Sequence, residues 1–173
     1  MPANDEQIDR VDENDLVVGS TTVEDAVNHG LLHRAVAVLV MRSDGRFLLQ
    51  QRSTRDVWHP GSWTISSTGH VMKGEAYQAA AVRELREELG LTPGVSTYRK
   101  YLLPPFRSGG LVEHEWVTLF TAQTDAPCRI DTVEVERVNE VDGIQLRRLI
   151  DRGSLTPDAV ILLRDYLEGR DKH

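Results

Sequence analysis

Apolar and polar residues alternate along several segments of the chain, and this pattern predicts β-strands. The segment "HRAVAVLVMRSDGRFLLQQR" predicts two strands, His33–Met41 and Arg46–Arg52, which the turn sequence Ser-Asp-Gly joins into a hairpin. The segments "YRKYLLP" and "LVEHEWVTLFTAQ" alternate in the same way, and "PPFRSGG" is predicted to form the loop between them. Shorter strands are expected near Val17 and at Trp63–Ile65.

Helical periodicity marks three further segments. A helix is predicted from Glu75 to Leu89, ended by Gly90 at the position where helices favour glycine. Two closing helices are predicted in "VDGIQLRRLIDRG" and "TPDAVILLRDYLEG", the second capped by Thr156 with Pro157 in its first turn. Strands around one long central helix, followed by closing helices, predict an α/β sandwich with a mixed sheet.

The composition is that of a globular protein. The chain has 173 residues, 40% hydrophobic and 27% charged, so residues 1–173 are predicted to form a single domain with residues 1–10 flexible. No apolar run is long enough to span a membrane, and the acidic N-terminus lacks the features of a secretory signal. The net charge of -7 argues against a nucleic-acid partner or an anionic membrane. A single cysteine, Cys128, excludes an internal disulfide, and a cytoplasmic location is expected.

The predicted central helix carries three acidic residues in its last two turns. Glu84, Glu87 and Glu88 follow a spacing of i, i+3 and i+4, so their side chains lie on one face. Each like-charged pair costs the helix about 0.2–0.5 kcal/mol, and the helix dipole also disfavours acids near this end. A solvated charged face is the alternative interpretation, but such faces usually pair opposite charges. The crowding therefore needs a compensating partner.

A hard divalent cation would relieve the repulsion among these acids. The acids lie on a different side of the helix from Val82, Leu85 and Leu89, which are predicted to form the stripe that faces the core. Arg83 precedes Glu87 by one turn and is placed to hold its carboxylate in orientation. Mg²⁺ takes oxygen ligands and binds through a few carboxylates together with substrate phosphates. The crowded acids therefore predict a magnesium site on this helix.

The stretch "GHVMKGEAYQAAAVRELREELGL" resembles the Nudix box, G-x5-E-x7-R-E-U-x-E-E-x-G-U, in which U is a bulky aliphatic residue. Every defined position matches: Gly69, Glu75, Arg83, Glu84, Leu85, Glu87, Glu88, Gly90 and Leu91. A match at all of these positions in a strand–loop–helix context is a specific signal. The resemblance to Nudix hydrolases implies an α/β/α sandwich that cleaves a diphosphate linkage in a small-molecule diphosphate substrate with Mg²⁺ or Mn²⁺.

The resemblance also implies roles for individual residues. Glu84, Glu87 and Glu88 would bind the metal, and Arg83 would orient these glutamates. The general base would be Glu84 or an acid from a distant loop, so Arg83, Glu84 and Glu87 are the residues assigned to catalysis. Gly69, Glu75 and Gly90 would shape the loop–helix–loop motif.

Segments outside the box resemble one branch of the family, which contains type I isopentenyl-diphosphate isomerase and isomerase-like hydrolases. These segments are "LLHRAVAVLVMRSDGRFLLQQRS", "HPGSWTISSTGHV" and "EHE". In the isomerase, a metal is held by two N-terminal histidines, a histidine before the box helix and two glutamates of an E-x-E segment. His33, His70, Glu113 and Glu115 match four of these five ligands. The fifth position falls on Ala26, and His29 is near it but out of register.

One departure argues against isomerisation. The catalytic cysteine of the isomerase precedes the Gly-His pair, where this chain has Thr68, whose hydroxyl cannot replace a thiol in proton transfer near neutral pH. Cys128 comes too late in the chain to be that thiol. A metal-dependent hydrolase of a nucleoside di- or triphosphate or a nucleoside diphosphate derivative is therefore predicted. The isomerase and a catalytically silent ligand-sensing domain are the alternatives.

Several other residues are candidates for the site. Substrate binding is assigned to Gly69, His70, Lys73, Arg52, Glu113 and Glu115. Arg55 and Arg107 are further cations for phosphate, and Trp58, Phe106 and Trp116 would either stack on a nucleobase or belong to the core. Glu113 and Glu115 are interpreted either as site residues or as the point where their strand face reaches water. His33, without its partner histidine, is interpreted as structural, and His59 as a turn residue.

Overall fold

The computed structural model describes residues 6–170, and its centre is a nine-stranded sheet. Its strands are β1 (Gln7–Val11), β2 (Val17–Thr22), β3 (His33–Met41), β4 (Phe47–Arg52), β5 (Trp63–Thr64), β6 (Ser67–His70), β7 (Val95–Leu102), β10 (Glu115–Gln123) and β11 (Val135–Val141). Two short strands between β7 and β10, β8 (Phe106–Ser108) and β9 (Leu111–Glu113), form a separate hairpin. β3 is the hub of the large sheet, since it pairs in parallel with β10 and antiparallel with β1, β4 and β6.

The described residues form helices on both sides of this sheet: α1 (Val23–His29), α2 (Tyr77–Leu89), α3 (Gly143–Asp151) and α4 (Pro157–Arg170). β3 is buried on both faces, so its successive side chains enter two different cores. Ala35, Ala37 and Leu39 pack with α3 and α4, whereas Val36 and Val38 pack with α2. The mixed sheet therefore lies between two helical layers, which confirms the predicted α/β/α sandwich. No helix among residues 6–170 is long and apolar enough to cross a membrane.

The ends of several elements agree with the sequence signals. α2 ends at Gly90, which adopts a left-handed backbone with φ 65°. α4 begins at Pro157, as predicted. The hydroxyl of Thr156, predicted to cap this helix, instead donates to the hydroxyl of Thr64 on β5 at 2.9 Å. The predicted strand "LVEHEWVTLFTAQ" is divided into β9 and β10, with His114 between them. The predicted loop "PPFRSGG" contains β8.

Two predictions about the N-terminal half are wrong. Residues 7–10 were expected to be flexible, but they belong to β1, which pairs with β2 and β3; residues 1–5 lie outside the described part of the chain. Val82 was expected in the core stripe of α2, but its exposed fraction is 38%, and Ala80 and Ala81 are buried instead. The helix turns its alanine side to the sheet because these small side chains allow Glu84 and Glu88 to come close to the strands.

Candidate functional site

A cavity of about 490 Å³ opens between α1, α2, the sheet and the loop that connects β4 and β5. Its wall contains the three predicted acids of α2 and three of the four residues that resemble isomerase ligands. The start of α4 and the β8–β9 hairpin complete the wall through Asp158, Phe106 and Leu111. The cavity therefore collects the candidate residues from both halves of the chain.

The three glutamates of α2 differ in exposure. Glu84 and Glu88 are buried, whereas half of the Glu87 side chain is exposed. One carboxylate oxygen of Glu88, Oε2, accepts hydrogen bonds from the Gln50 side chain at 3.0 Å, from the Ser67 hydroxyl at 2.6 Å and from the backbone N–H of Thr68 at 3.2 Å. These three donors fix the orientation of Glu88 towards the cavity.

Burial makes the two inner glutamates hard to ionise. It raises the pKa of Glu84 to about 8, with a further contribution from the negative charge of Glu88. It also raises the pKa of Glu88 to about 7, although the hydrogen bond from Ser67 opposes the shift. Two buried carboxylates that must share one surface are an all-oxygen donor set, which suits a hard divalent cation such as Mg²⁺ or Mn²⁺. These residues therefore fit the metal that the sequence implies.

Arg83 holds the loop before α2 and one of the glutamates together. Its guanidinium binds both carboxylate oxygens of Glu75 at 2.9 Å and donates to the backbone oxygen of His70 at 2.9 Å. It also binds Glu84 at 2.5 Å, whereas its Nη1 lies 3.4 Å from Glu87. Helical spacing predicted a contact of Arg83 with Glu87, and the resemblance implied that Arg83 orients the glutamates; the geometry makes Glu75 and Glu84 its principal partners, with Glu87 farther away. Glu75 in turn accepts from the Met72 backbone, so it fixes the loop.

Gly69 is required by close packing against Glu84. A Cβ atom at this position would overlap the carboxyl group of Glu84. The glycine thus lets an acidic side chain of α2 lie directly against β6, next to His70. The two groups of candidate ligands meet at this contact.

The second group, His33, His70, Glu113 and Glu115, is hereafter the strand cluster. One ligand atom from each of the four residues lies within 4.8 Å of the others. The parallel register of β3 and β10 places His33 opposite Glu115, and β6 carries His70 alongside β3. The structure therefore brings His70, predicted to bind substrate, together with three residues for which a structural alternative was left open.

Neighbouring residues of the strand cluster shift one another's pKa values. His33 is fully buried, and its Nδ1 lies 2.7 Å from the backbone oxygen of Leu31. Its Nε2 lies 3.5 Å from Glu113 and 3.4 Å from Glu115. Burial would lower the pKa of His33, but the two carboxylates outweigh it and raise the pKa to about 10. The histidines lower the pKa of Glu113 despite its burial, whereas burial and the charge of Glu113 raise the pKa of Glu115.

The donor atoms of the strand cluster suit a metal ion. Within the described chain, neither His33 Nε2 nor Glu113 Oε2 makes a hydrogen bond, although both atoms are buried. The two atoms face each other only across the ion-pair distance of 3.5 Å. Buried polar atoms without a hydrogen bond are rare in proteins and call for an explanation such as a bound ion. Two imidazole nitrogens with two carboxylates are ligands for a transition metal or Zn²⁺ as well as Mn²⁺. The cluster thus offers a second metal position that shares its wall with the first.

The remaining candidates separate into two groups. Arg52, Arg55, Trp58 and Phe106 line the cavity. Lys73, Arg107 and Trp116 are not among the described residues that line it. The Nζ atom of Lys73 lies 3.4 Å from Ser20 Oγ, and Trp116 donates to the backbone oxygen of Asp12. Lys73, predicted to bind substrate, is therefore directed to the β1–β2 hairpin instead.

Residues that mark the isomerase are absent from the required places. Ala26 is fully buried in α1 within a small apolar core, so no histidine completes the strand cluster from this helix. His29 is bound through Nδ1 to the backbone oxygen of Asp25 at 2.9 Å. Thr68 lines the cavity, and Cys128 lies near Arg42, 3.8 Å from its guanidinium and away from the cavity wall.

Several residues of the site were not predicted from the sequence, among them Glu134 on the cavity wall. Gln50 and Ser67 hold Glu88, but both belong to ordinary strand segments, and nothing in their local sequence distinguishes them from other polar residues. Asp158 follows Thr-Pro at the start of a helix, where an acid is normal, so only the fold reveals that it reaches the cavity.

Comparison with known proteins agrees with this geometry. The family model for the NUDIX domain matches residues 31–160. Isopentenyl-diphosphate Delta-isomerase 2 of Photorhabdus laumondii is 33% identical over 147 residues, covering 85% of this chain and 83% of that protein. An uncharacterised Nudix hydrolase of Pseudomonas aeruginosa is 31% identical over 161 residues, covering 91% of each protein. The crystal structure of DR0079 from Deinococcus radiodurans superimposes with a TM-score of 0.79 at 22% identity, covering 92% of this chain and 98% of that one. The chain therefore belongs to the NUDIX domain family.

Proposed function

We propose that this protein hydrolyses a diphosphate linkage in a nucleoside di- or triphosphate or another nucleoside diphosphate derivative, in a reaction that requires Mg²⁺ or Mn²⁺. The observation that carries the proposal is the pair of buried, oriented glutamates, Glu84 and Glu88, which face a cavity beside the partly exposed Glu87. A cavity lined by so many acids would repel a diphosphate unless cations lie between them. The arrangement is therefore suited to a metal-bridged phosphate substrate.

The side chains of α2 would act as a fixed holder for the metal. Glu84, Glu87 and Glu88 would supply its protein ligands, and a cation held there supplies charge neutralisation for the phosphates and a lower pKa for a bound water. Arg83 would keep the Glu84 carboxylate in position, and the three donors to Oε2 of Glu88 would keep its other oxygen directed outward. Such preorganisation avoids rearrangement of the carboxylates during the reaction.

Other residues of the cavity wall are suited to phosphate binding and to proton transfer. The guanidinium groups of Arg52 and Arg55 line the cavity and would bind phosphate oxygens. The proton of the attacking water would pass to Glu84 or to Glu134, which lies on the loop before β11 and lines the same cavity. Burial raises the pKa of both carboxyl groups, and a higher pKa makes a carboxylate a stronger proton acceptor.

A panel assay tests the proposed function. The purified protein is incubated with nucleoside di- and triphosphates, nucleotide sugars and dinucleoside polyphosphates, and phosphate release is measured with Mg²⁺, with Mn²⁺ and with excess EDTA. We expect turnover of at least one compound that disappears in EDTA and in Glu88→Gln, but persists in Glu136→Gln, an exposed residue of β11. Absence of metal-dependent turnover across the panel would contradict the proposal.

Isomerisation of isopentenyl diphosphate is the second candidate. It is favoured by the assembled strand cluster and by the similarity to Isopentenyl-diphosphate Delta-isomerase 2. Thr68 on the cavity wall opposes it, because its hydroxyl does not ionise near neutral pH. Incubation of isopentenyl diphosphate with the protein in deuterated water separates the two functions. Deuterium incorporation into the substrate by the natural chain would establish isomerisation, and exchange that appears only in Thr68→Cys would identify the thiol as the missing group.

A further inference from the structure

One polar group on the cavity wall is not used by the proposed metal chemistry. Asp158, the second residue of α4, lines the cavity, and its Oδ1 atom is buried. This oxygen has no hydrogen-bond partner anywhere in residues 6–170. Most buried polar atoms are satisfied, so an unpaired carboxylate oxygen in a residue of the cavity wall needs an explanation, and a donor group of a bound ligand would supply one.

The carboxylate is held rigidly by the start of α4. The backbone N–H of Thr156 donates to Trp63 at 2.9 Å, its hydroxyl lies 2.9 Å from that of Thr64, and Leu155 pairs with Trp63 in a parallel bridge. These contacts attach the first turn of α4 to β5. Asp158 is therefore a fixed part of the wall.

One titratable ring, His59, interacts electrostatically with Asp158. Burial lowers the pKa of His59 in spite of the opposing effect of Asp158. The Nε2 atom of His59 is itself buried without a hydrogen-bond partner among the described residues. The negative charge of Asp158 would repel phosphate oxygens. Asp158 is therefore expected to face the end of the ligand that carries hydrogen-bond donors.

Aromatic side chains lie on the same wall. Trp58 and Phe106 both line the cavity, and the loop that carries Trp58 is tightly constrained. Arg52 donates to the backbone oxygen of Trp58 at 2.8 Å and binds Asp56 at 2.5 Å. His59 has φ 43°, a backbone conformation that a non-glycine residue rarely adopts, and its ring contacts Trp58 edge-on at 4.7 Å between ring centres. The loop thus fixes one flat apolar surface inside the cavity.

β4 connects this aromatic surface to the proposed metal site. Gln50 binds Glu88, and Arg52, two residues later on the same strand face, binds the Trp58 loop. Residues two apart on a strand are separated by about 7 Å and point to the same side. A ligand with phosphates at the glutamates would therefore extend past Arg52 towards Trp58.

We propose that Asp158, Trp58 and Phe106 form a subsite for the nucleobase of the substrate, in which the Asp158 carboxylate accepts a hydrogen bond from an exocyclic amine. The inference rests on the proposed function, because it places the phosphates at Glu84, Glu87 and Glu88. A carboxylate only accepts hydrogen bonds, so it selects a base with an amine over one with a carbonyl at the same position. The hydrocarbon end of isopentenyl diphosphate has no donor and would leave the buried oxygen unpaired.

Matched nucleotide pairs test the subsite. CDP and UDP differ by an amine in place of a carbonyl, and GDP and IDP differ by one amine. Binding of the non-hydrolysable methylene analogues of all four is measured by calorimetry with Mg²⁺, so that the result does not depend on turnover. We expect the amine-bearing member of at least one pair to bind about tenfold or more tightly, as for a hydrogen bond to a charged group.

Variants assign this preference to the carboxylate. Asp158→Ala should abolish it, and Asp158→Asn should reduce or reverse it, because the amide can donate to a carbonyl. Glu168→Gln, an exposed change in the same helix, should leave the preference intact, and thermal unfolding checks that each variant is folded. Trp58→Ala should weaken both members of a pair by about tenfold without changing their ratio, because stacking does not distinguish bases by their amines.

The outcomes separate the subsite from the proposed function. Equal binding within both pairs, or a preference that survives Asp158→Ala, overturns the subsite. Loss of the Asp158 effect with 2′- or 3′-deoxynucleotides would assign the carboxylate to a sugar hydroxyl and would likewise overturn it. Hydrolysis without base preference leaves the proposed function standing. Base preference without hydrolysis of the natural diphosphates overturns the proposed function alone, and failure of every analogue to bind counts against both.

Discussion

The acids of α2 and the strand cluster face the same cavity, but different levels of structure assemble them. Glu84, Glu87 and Glu88 occupy one face of a single helix, so five consecutive positions determine their arrangement. The strand cluster draws on β3, β6, β9 and β10, and its geometry depends on strand register and on the break at His114. A site on one helix can be inferred from spacing, whereas a site across strands needs the fold.

This difference explains what the sequence could predict. The α2 acids were identified because helical spacing fixes which residues share a face. Glu113, Glu115 and His33 were left with structural alternatives, because the parallel pairing of β3 with β10 is invisible in either segment. A shift of one residue would direct Glu115 to the opposite face of the sheet. Only the observed register brings Glu115 opposite His33.

The same reasoning applies to the fold as a whole. The central strands and the end of α2 at Gly90 were predicted from local signals. α1, with seven residues, is too short to show a clear period, and β11 exposes polar residues on much of its length, so neither was predicted. The orientation of α2 was partly wrong because the helical wheel favours the bulky Val82, whereas packing against the sheet favours Ala80 and Ala81.

The largest expected effect comes from removing one of the α2 acids, and the matching change in the strand cluster serves as the comparison. Glu88→Gln should lower kcat for diphosphate hydrolysis by about 100-fold or more, because it removes a proposed metal ligand while keeping the side-chain volume. His33→Gln should lower the same kcat by less than about tenfold if the α2 acids carry the chemistry. Steady-state kinetics with a substrate found in the panel assay measures both. A larger loss in His33→Gln would transfer the principal role to the strand cluster.

A smaller effect is expected at the contact that joins the two clusters. Gly69→Ala places a Cβ against the Glu84 carboxyl group, so the acid or β6 must move. We expect a loss of about 1–3 kcal/mol in the free energy of unfolding, together with reduced turnover. Gly94→Ala is the matched control, because a Cβ there meets no atom within 4 Å. Chemical denaturation compares the two variants, and equal stability would show that the site accommodates the added methyl group.

The smallest expected effect is a pH dependence of stability in the metal-free protein. The folded-state pKa values of Glu84 and Glu88, about 8 and 7, lie above the ordinary value of 4.5. A group with a raised pKa stabilises the fold below its unfolded pKa and loses this contribution as the pH rises through the folded pKa. His33, with a pKa raised to about 10 from 6.5, acts in the same direction. In EDTA, the melting temperature should therefore fall between pH 5 and pH 9.

Variants show which ionisable groups cause this fall in melting temperature, and so distinguish the two clusters. The pKa values of Asp15 and Glu75 are lowered, so their contributions change only at pH values below this range. Glu84→Gln cannot ionise at this position, so it avoids both the burial of a charge and the repulsion from Glu88. It should melt at a higher temperature than the natural chain at pH 8.5 in EDTA, by about 2–4 °C for each kcal/mol of destabilisation removed. Saturating Mg²⁺ should remove most of the fall in the natural chain, because it stabilises the ionised carboxylates, but should have little effect on Glu84→Gln. If calorimetric scans give the same fall in both proteins, Glu84 is not the group that destabilises the metal-free fold, and the fall comes from Glu88 or from the strand cluster.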